Sequence, residues 1–425
     1  MGKTTFRKLA EAGAAIMASV IFLAVTVTAA YSAGSSYAEW DISGSTGTMT
    51  IPVSGFPQAT LRTDSTQPRT ASGNSVYLSA GTPFGSVFGS SRGKPYALFR
   101  TAADLTPSTT MFTFTAPASV GHWGFTLGDI DADQVTIGAT DAAGNPIAAA
   151  DLGYQTSFNY CAASPKPSGC TGSGPFTDKP TWNPATGTLT GSGSDTLGGS
   201  AWFRPAAPVK TLTFTFSRQA GAPVYQVWFA ALNASVSGTV RVAPDDTPPP
   251  STLRLLHPDG TPVLSASGAP VTATTGPDGS YAFPGVARGD YIVALDVPKG
   301  FAATGPDRRS ADASSGDATH VDFVLREDVP PPQATIPPES TPEDAPVRIP
   351  LAADSTGDGI RVTGVTQPET GHVTLGPGGV AVYSPPPGFP GTVTFTFTIT
   401  DVNGASFTGT VRVNVAGLPL VPVTG

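Results

Sequence analysis

Apolar residues alternate with threonine in many short segments of this chain, among them residues 112–114, 212–216 and 393–399. In an extended strand this period of two places every apolar side chain on one face and every threonine on the other. Glycine and proline together supply 49 and 43 residues, which suits short strands joined by turns. No segment after residue 33 shows sustained helical periodicity with caps. The pattern predicts an all-β chain of packed antiparallel sheets.

The N-terminus has the layout of a secretory signal peptide. Lys3, Arg7 and Lys8 precede an apolar run over residues 14–27, and small residues follow at 28–33. An uncleaved membrane anchor is the alternative, but the run is shorter than the ~20 residues that a spanning helix needs. We therefore predict a signal peptide over residues 1–33 and an exported, extracellular protein.

Net charge excludes two classes of partner. The whole chain carries a formal charge of −8, which becomes −10 without the signal segment, because that segment holds three cations and Glu11. An acidic protein without a basic block repels nucleic acid and anionic lipid. We expect no nucleic-acid partner and no direct membrane contact by the mature chain.

Two cysteines, Cys161 and Cys170, are the only ones in the chain. Export places them in an oxidising compartment where a disulfide persists. Redox or metal-binding roles are the alternative, but the spacing does not match C-x-x-C and no histidine is near in sequence. We predict a structural disulfide.

Composition and patterning divide the exported part into consecutive units. All five tryptophans fall in a first module, residues 34–234, and a second module covers 235–327. Consecutive prolines make residues 328–332 a stiff linker. A third module covers 333–416, and residues 417–425 form a tail.

The second module contains the segment 274–291, T-T-G-P-D-G-S-Y-A-F-P-G-V-A-R-G-D-Y, which predicts a β-hairpin. This module resembles the Cna-B and SdrD-B modules of Gram-positive surface proteins, a prealbumin-like sandwich grouped with starch-binding-like folds. The resemblance implies a spacer or binder rather than an enzyme. The lysine–asparagine cross-link of many relatives is not expected, because Lys299 lies in a loop and the closing strand has no asparagine.

The third module resembles the bacterial cadherin-like and Ig-like repeats of adhesins. The resemblance rests on the segments 341–347, 354–358, 382–391 and 400–404, in that order. It implies an Ig-like sandwich with calcium ligands near one pole. The residues at those positions are Glu343, Asp344, Asp354, Asp358 and Asp401. Solvated loop carboxylates are the alternative interpretation.

The first module contains W-G-F-T-L-G-D-I-D-A-D-Q-V-T-I, residues 123–137, which resembles N-terminal jelly-roll or lectin-like β-sandwich domains of bacterial surface proteins. Asp129, Asp131 and Asp133 alternate here, so on a strand all three would face one side and repel one another. Calcium accepts such oxygen-rich clusters, although the spacing excludes an EF-hand. The alternatives are a calcium site and a strand end with solvated or turn-bonded aspartates.

Trp182 and Trp202 lie in glycine- and serine-rich surroundings, where an exposed indole would stack on a sugar ring. The alternative is that both belong to the core. They are the candidate glycan-binding residues.

The chain ends in Val421, Pro422, Val423, Thr424 and Gly425, a sequence similar to the L-P-x-T-G signal that sortases read. The resemblance implies attachment to peptidoglycan, and a freely secreted protein is the alternative.

Catalysis is disfavoured because the four histidines lie in three different modules and the first two modules offer Glu39 as their only glutamate before residue 326. We predict a non-enzymatic adhesin or display protein with an unknown extracellular protein or glycan ligand. A carbohydrate-binding accessory of polysaccharide degradation and a purely structural cell-wall protein are the alternatives. No cofactor is expected except, in the calcium interpretation, Ca²⁺.

Overall fold

The structure is a computed structural model that describes residues 34–101, 106–172, 174, 176–221, 224–243, 247–328, 330–402 and 404–417. The predicted signal peptide and the sortase-like motif at 421–425 lie outside these residues. No helix within the described ranges is long and apolar enough to cross a membrane.

Fifteen strands and one helical turn build the first module. In chain order they are β1 Ser35–Tyr37, β2 Glu39–Ser43, β3 Thr46–Thr50, β4 Ala59–Thr63, β5 Arg69–Ala71, α1 Gly85–Phe88, β6 Tyr96–Arg100, β7 Ser108–Ala118, β8 Trp123–Gly128, β9 Asp133–Thr140, β10 Tyr154–Asn159, β11 Thr181–Asn183, β12 Thr188–Thr190, β13 Gly199–Phe203, β14 Val209–Arg218 and β15 Val224–Val242. Short 3₁₀ turns lie at Ala149–Leu152 and Tyr160–Ala162.

Two sheets pack face to face in this module. One has the strand order β11-β12-β9-β14-β7-β4-β3-β2, and the other is centred on β10-β13-β8-β15, with β1 and β6 also paired to β15. Phe112, Phe125 and Phe229 meet in the core between them. A second apolar cluster, which includes Phe84 and Trp228, covers the outer face of the β8–β15 sheet. The alternation predicted from the sequence is therefore confirmed as strands, and the all-β sandwich class with it.

Strand β15 joins the first module to the second. Its first half pairs with β8, from Gln226 opposite Gly128 to Ala231 opposite Trp123. Its second half pairs with strands of the second module, starting at Asn233. The boundary predicted between residues 234 and 235 therefore falls inside a continuous strand.

Backbone hydrogen bonds reinforce this junction away from the shared strand. The Ser54 amide donates to the Gly285 carbonyl at 3.0 Å, and the Ala287 amide donates to the Ser54 carbonyl at 2.7 Å. The Gly55 amide donates to the Leu264 carbonyl at 2.8 Å. The shared strand and this second point of contact thus hold the modules together, which restricts bending between them.

The second module adds seven strands to β15. They are β16 Thr252–Leu256, β17 Thr272–Thr274, β18 Ser280–Ala287, β19 Asp290–Asp296, β20 Phe301–Ala303, β21 Arg308–Asp312 and β22 Phe323–Glu327. Strands β18 and β22 flank β15, and β20 continues that sheet from β22, while the opposing sheet has the order β17-β16-β19-β21. Apolar side chains from both sheets form one core.

The β-hairpin predicted from the segment 274–291 is wrong. Strand β18 pairs with β15, whereas β19 pairs with β16 and β21 in the opposite sheet. Tyr281 and Phe283 on β18 and Tyr291 on β19 enter the same core from its two sides. Alternation shows that each strand has a buried face, but it does not tell whether neighbouring strands share a sheet.

Nine strands form the third module. They are β23 Gln333–Ala334, β24 Glu339–Pro342, β25 Val347–Pro350, β26 Ser355–Thr356, β27 Arg361–Val365, β28 His372–Gly376, β29 Val380–Ser384, β30 Gly391–Thr400 and β31 Ser406–Ala416. The sheets β24-β31-β30-β27 and β25-β29-β28 enclose a third core.

Replacement of Ser54 by proline tests the junction. Proline has no amide hydrogen, so Ser54→Pro removes the bond to Gly285, whereas Ser54→Ala keeps it. We expect Ser54→Pro to lower the free energy of unfolding by about 1–3 kcal/mol relative to Ser54→Ala, measured by urea denaturation. Equal stability of the two variants would show that this contact does not hold the modules together.

Candidate functional site

The first module has a pole that points away from the second module. Gln226, which pairs with Gly128, lies six positions before Leu232 at the junction, a span of about 20 Å along β15. We call the end beyond Gly128 the far pole. It comprises the β8–β9 turn (129–132), the disulfide loop (161–170) and the segment 191–199, which contact one another as follows.

The β8–β9 turn holds the aspartates that the sequence analysis placed on one strand. A common strand for all three is ruled out, because only Asp133 belongs to β9 and Asp129 has a left-handed backbone with φ of 63°, so they lie at a strand end, as in the alternative interpretation. Asp131 lies within the turn and is buried. The turn nevertheless brings the three carboxylates close enough to repel one another.

Segment 191–199 lies along this turn and is fixed to it by its backbone. The Gly191 amide donates to the Asp133 carbonyl and the Gly193 amide to the Asp131 carbonyl, both at 2.8 Å. The Gly198 amide donates to Asp129 Oδ1 at 3.2 Å. A side chain at 191 would collide with the Asp131 backbone, so this close approach requires glycine there.

The structure adds two carboxylates that the sequence analysis missed. The Thr196 hydroxyl lies 2.6 Å from Asp178 Oδ2 and 3.3 Å from Asp131 Oδ2. Asp195 is exposed beside them and raises the pKa of Asp133 by repulsion. Since Asp178 and Asp195 are more than 40 residues from the turn, no local pattern could have revealed them.

Asp133 is the most buried carboxylate of this cluster. Its side chain has 0% exposure, and neither carboxylate oxygen has a hydrogen-bond partner. Burial, with repulsion from Asp131 and Asp129, raises the pKa of Asp133 to about 9. The folded protein therefore binds a proton at this carboxyl at neutral pH unless another positive charge is present.

The other carboxyls of the turn are affected in the same direction. Burial raises the pKa of Asp129 to about 7, and repulsion from Asp131 adds to the effect. Burial also raises the pKa of Asp131 to about 6, although the Ala132 amide and Thr196 hydroxyl oppose the rise. The cluster thus titrates well above the range of ordinary aspartates.

No basic side chain neutralises the cluster in the part of the chain that the structure describes. There, the ion pair found within 4.0 Å joins Arg254 to Asp296 in the second module. No three His, Cys, Asp or Glu side chains of the described ranges are already arranged to hold a metal ion. The described neighbours of the acidic cluster therefore supply no positive charge to it.

The predicted disulfide between Cys161 and Cys170 is confirmed. Both cysteines are buried in the apolar cluster on the outer face of the β8–β15 sheet. Next to Cys161, Asn159 donates to Asp178 Oδ1 and to the Leu197 carbonyl, each at 2.9 Å. The disulfide loop and the acidic cluster are consequently parts of one hydrogen-bonded surface.

The two candidate glycan-binding tryptophans have different environments. Trp202 is only 5% exposed and packs edge-on against Phe84 and Phe88, so its predicted role in stacking on a sugar is wrong. The α1 segment covers its side of the sheet, which the surrounding glycines did not indicate. Trp182 is half-buried on the edge strand β11 and stacks on Tyr154 at 6.0 Å. Its role in glycan binding stays a prediction.

The structure does not collect the third-module carboxylates at one pole. Asp344 accepts a hydrogen bond from the Gly388 amide near the start of β30, and Glu343 adjoins Ala416 at the same end. Asp401 follows the last residue of β30, and the amide of the next residue, Val402, donates to the Asp358 carbonyl. Because β30 has 10 residues, about 30 Å separates these ends. Asp354 is exposed in a loop before β26. The expected grouping of these residues near one pole is therefore wrong.

One family model matches the chain. The model described as a bacterial Ig domain matches residues 328–414, about a fifth of the chain. This match confirms the Ig-like prediction for the third module and starts within the proline-rich linker. No curated protein sequence matches the chain.

Several solved structures are similar in part. They include the BcpA major pilin subunit of Bacillus cereus, with 9% identity over 53% of this chain and 65% of that one and a TM-score of 0.21. A group B streptococcus pilus 2b backbone protein has 11% identity over 52% of this chain and 93% of that one, with a TM-score of 0.21. The SpaD major pilin of Corynebacterium diphtheriae has 12% identity over 55% of this chain and 62% of that one, with a TM-score of 0.21. The chain thus spans less than two thirds of the BcpA and SpaD structures. Scores this low establish no common arrangement of the whole chain.

The raised pKa values predict how stability depends on pH in a chelating buffer. In the unfolded chain these aspartates release their protons near pH 4, whereas the folded protein retains them to between about pH 6 and 9. Between those limits the folded state binds more protons, so the free energy of unfolding falls as pH rises. We expect this fall in urea denaturation curves recorded from pH 5 to 9.

Asp133→Asn isolates the buried carboxyl. The neutral amide does not titrate, so the variant should lose less stability over this pH range. It should be more stable than the original protein at pH 8 by about 1–4 kcal/mol. Asp151→Asn, at an exposed position outside the cluster, is the control. Equal pH slopes for Asp133→Asn and the unchanged protein would contradict this account.

Proposed function

We propose that this chain is a non-enzymatic extracellular surface protein in which the first module binds a ligand and the other two modules display it. The observation that carries the proposal is the continuous strand β15, with the Ser54 and Gly55 contacts beside it. A rigid junction of this kind keeps the far pole directed away from the second module. The Ig-like third module fits the role of a spacer.

The far pole is the proposed contact surface. Loops at one end of a β-sandwich are where such folds place recognition, and these loops vary independently of the core. Here the disulfide and the Asn159 hydrogen bonds hold the loops in one arrangement before any ligand arrives. Preorganised loops lose less conformational entropy on binding, which favours affinity.

A glycan ligand is the second candidate, and Trp182 is the observation that favours it. This indole is half-buried on an edge strand, so part of it remains accessible. Stacking of such an aromatic on a sugar would support the carbohydrate-binding alternative. Covalent attachment to peptidoglycan through residues 421–425 would provide display on the wall, and secretion without attachment is the other arrangement consistent with export.

A blocking experiment tests the location of the contact surface. Ser194→Cys places a thiol at an exposed far-pole position, and Ser315→Cys places one at an exposed position of the second module. Each is coupled to a polyethylene glycol chain. Binding of the secreted chain is then measured against panels of extracellular-matrix proteins and glycans.

We expect the polymer at residue 194 to weaken binding by about tenfold or more, since it excludes a partner from the pole, and the polymer at residue 315 to leave binding unchanged. Equal losses from both sites would place the contact elsewhere. Failure of the unmodified protein to bind any panel member would favour the purely structural alternative.

A further inference from the structure

The far pole contains a buried carboxyl that can ionise only beside a positive charge. Asp133 is fully buried, and neither of its carboxylate oxygens has a hydrogen-bond partner. An ionised carboxylate in such a place is strongly unfavourable unless it is paired or coordinates a metal. In the described residues no lysine, arginine or histidine forms an ion pair with it. Ionisation of this carboxyl therefore requires a cation from outside the described part of the chain; without one, the carboxyl keeps its proton.

Other carboxylates of the cluster are more exposed than Asp133. Asp131 and Asp178 converge on the single hydroxyl of Thr196, at 3.3 and 2.6 Å. Asp195 and Thr196 are exposed, whereas Asp131 is buried beneath them. The carboxylates of the cluster thus range from exposed, at Asp195, to fully buried, at Asp133.

We propose that this five-aspartate cluster binds a divalent cation of the calcium type. Its nearest ligands would be Asp131, Asp133 and Asp178, and Asp129 and Asp195 would contribute charge. Oxygen-only donors select calcium over zinc, and calcium tolerates irregular coordination by six to eight oxygens. The Asp side chains must rotate on binding, because no three of them already surround a metal position in the described residues.

Binding would have a structural consequence for the far pole. Asp178 follows the disulfide loop in the chain, and Asp131 lies in the β8–β9 turn. One ion that bridges them would therefore join the segment after the loop to the turn. Loss of the ion would loosen segment 191–199 and leave the sheets folded. This inference does not depend on the identity of the ligand proposed above, because metal affinity is measured without that ligand.

Terbium luminescence provides a direct test on the secreted chain. Tb³⁺ occupies calcium sites, and Tyr160, whose hydroxyl lies 3.3 Å from Asp129 Oδ1, is close enough to sensitise its emission. We expect saturable emission that Ca²⁺ displaces, with a calcium dissociation constant on the order of 0.1–1 mM. Mg²⁺ should displace it less effectively, since magnesium demands a stricter geometry.

Variants identify the site. Asp131→Asn and Asp178→Asn should each weaken calcium binding by about 10- to 100-fold. Asp178 is partly accessible, so its variant keeps the test usable if Asp131→Asn fails to fold. Asp151→Asn is the control outside the cluster, and Asp401→Asn distinguishes this site from one in the third module.

Two results would overturn the proposal. The first is an absence of calcium-displaceable emission at concentrations well above the millimolar range. The second is emission that both cluster variants leave unchanged. A cluster neutralised by protons alone would give the first result.

Discussion

Strand β15 is the interaction on which the arrangement of the first two modules depends. Its 19 residues pair with β8 in one module and with β18 and β22 in the next, so the chain passes between two cores without a flexible segment. A hinge there would require several backbone hydrogen bonds to break together, because Ser54 and Gly55 contact the second module at a separate point. The orientation of the far pole follows from this continuity.

The aspartates at the far pole are the second feature on which the account depends. Most carboxylates of this acidic chain are solvated, and several exposed aspartates simply stabilise turns, as Asp278 does by accepting from the Ser280 amide. The far-pole cluster differs because it combines depth with mutual repulsion. Natural proteins retain such an unfavourable arrangement mainly where it binds something. The cluster therefore indicates a binding site.

The sequence predicted the secondary structure well and the tertiary neighbours poorly. Alternation around Phe112, Phe214 and Phe397 located strands, because a half-buried strand imposes that period locally. It could not show that β18 and β19 belong to opposite sheets, because both strands direct apolar side chains into the same core. The disulfide was predictable because export places the only two cysteines of the chain in an oxidising compartment. Recruitment of Asp178 and Asp195 to the β8–β9 turn depended on contacts distant in sequence, and the burial of Trp202 depended on the segment that covers β13.

Amide hydrogen exchange across residues 226–240 tests the central claim most directly. If β15 is one strand shared by two modules, the amides at 230–234 and 236 exchange as slowly as those at 226–229, because they open only with the sheets. Rapid exchange confined to residues 232–234 would contradict the account, since it would show a flexible link between independently moving modules.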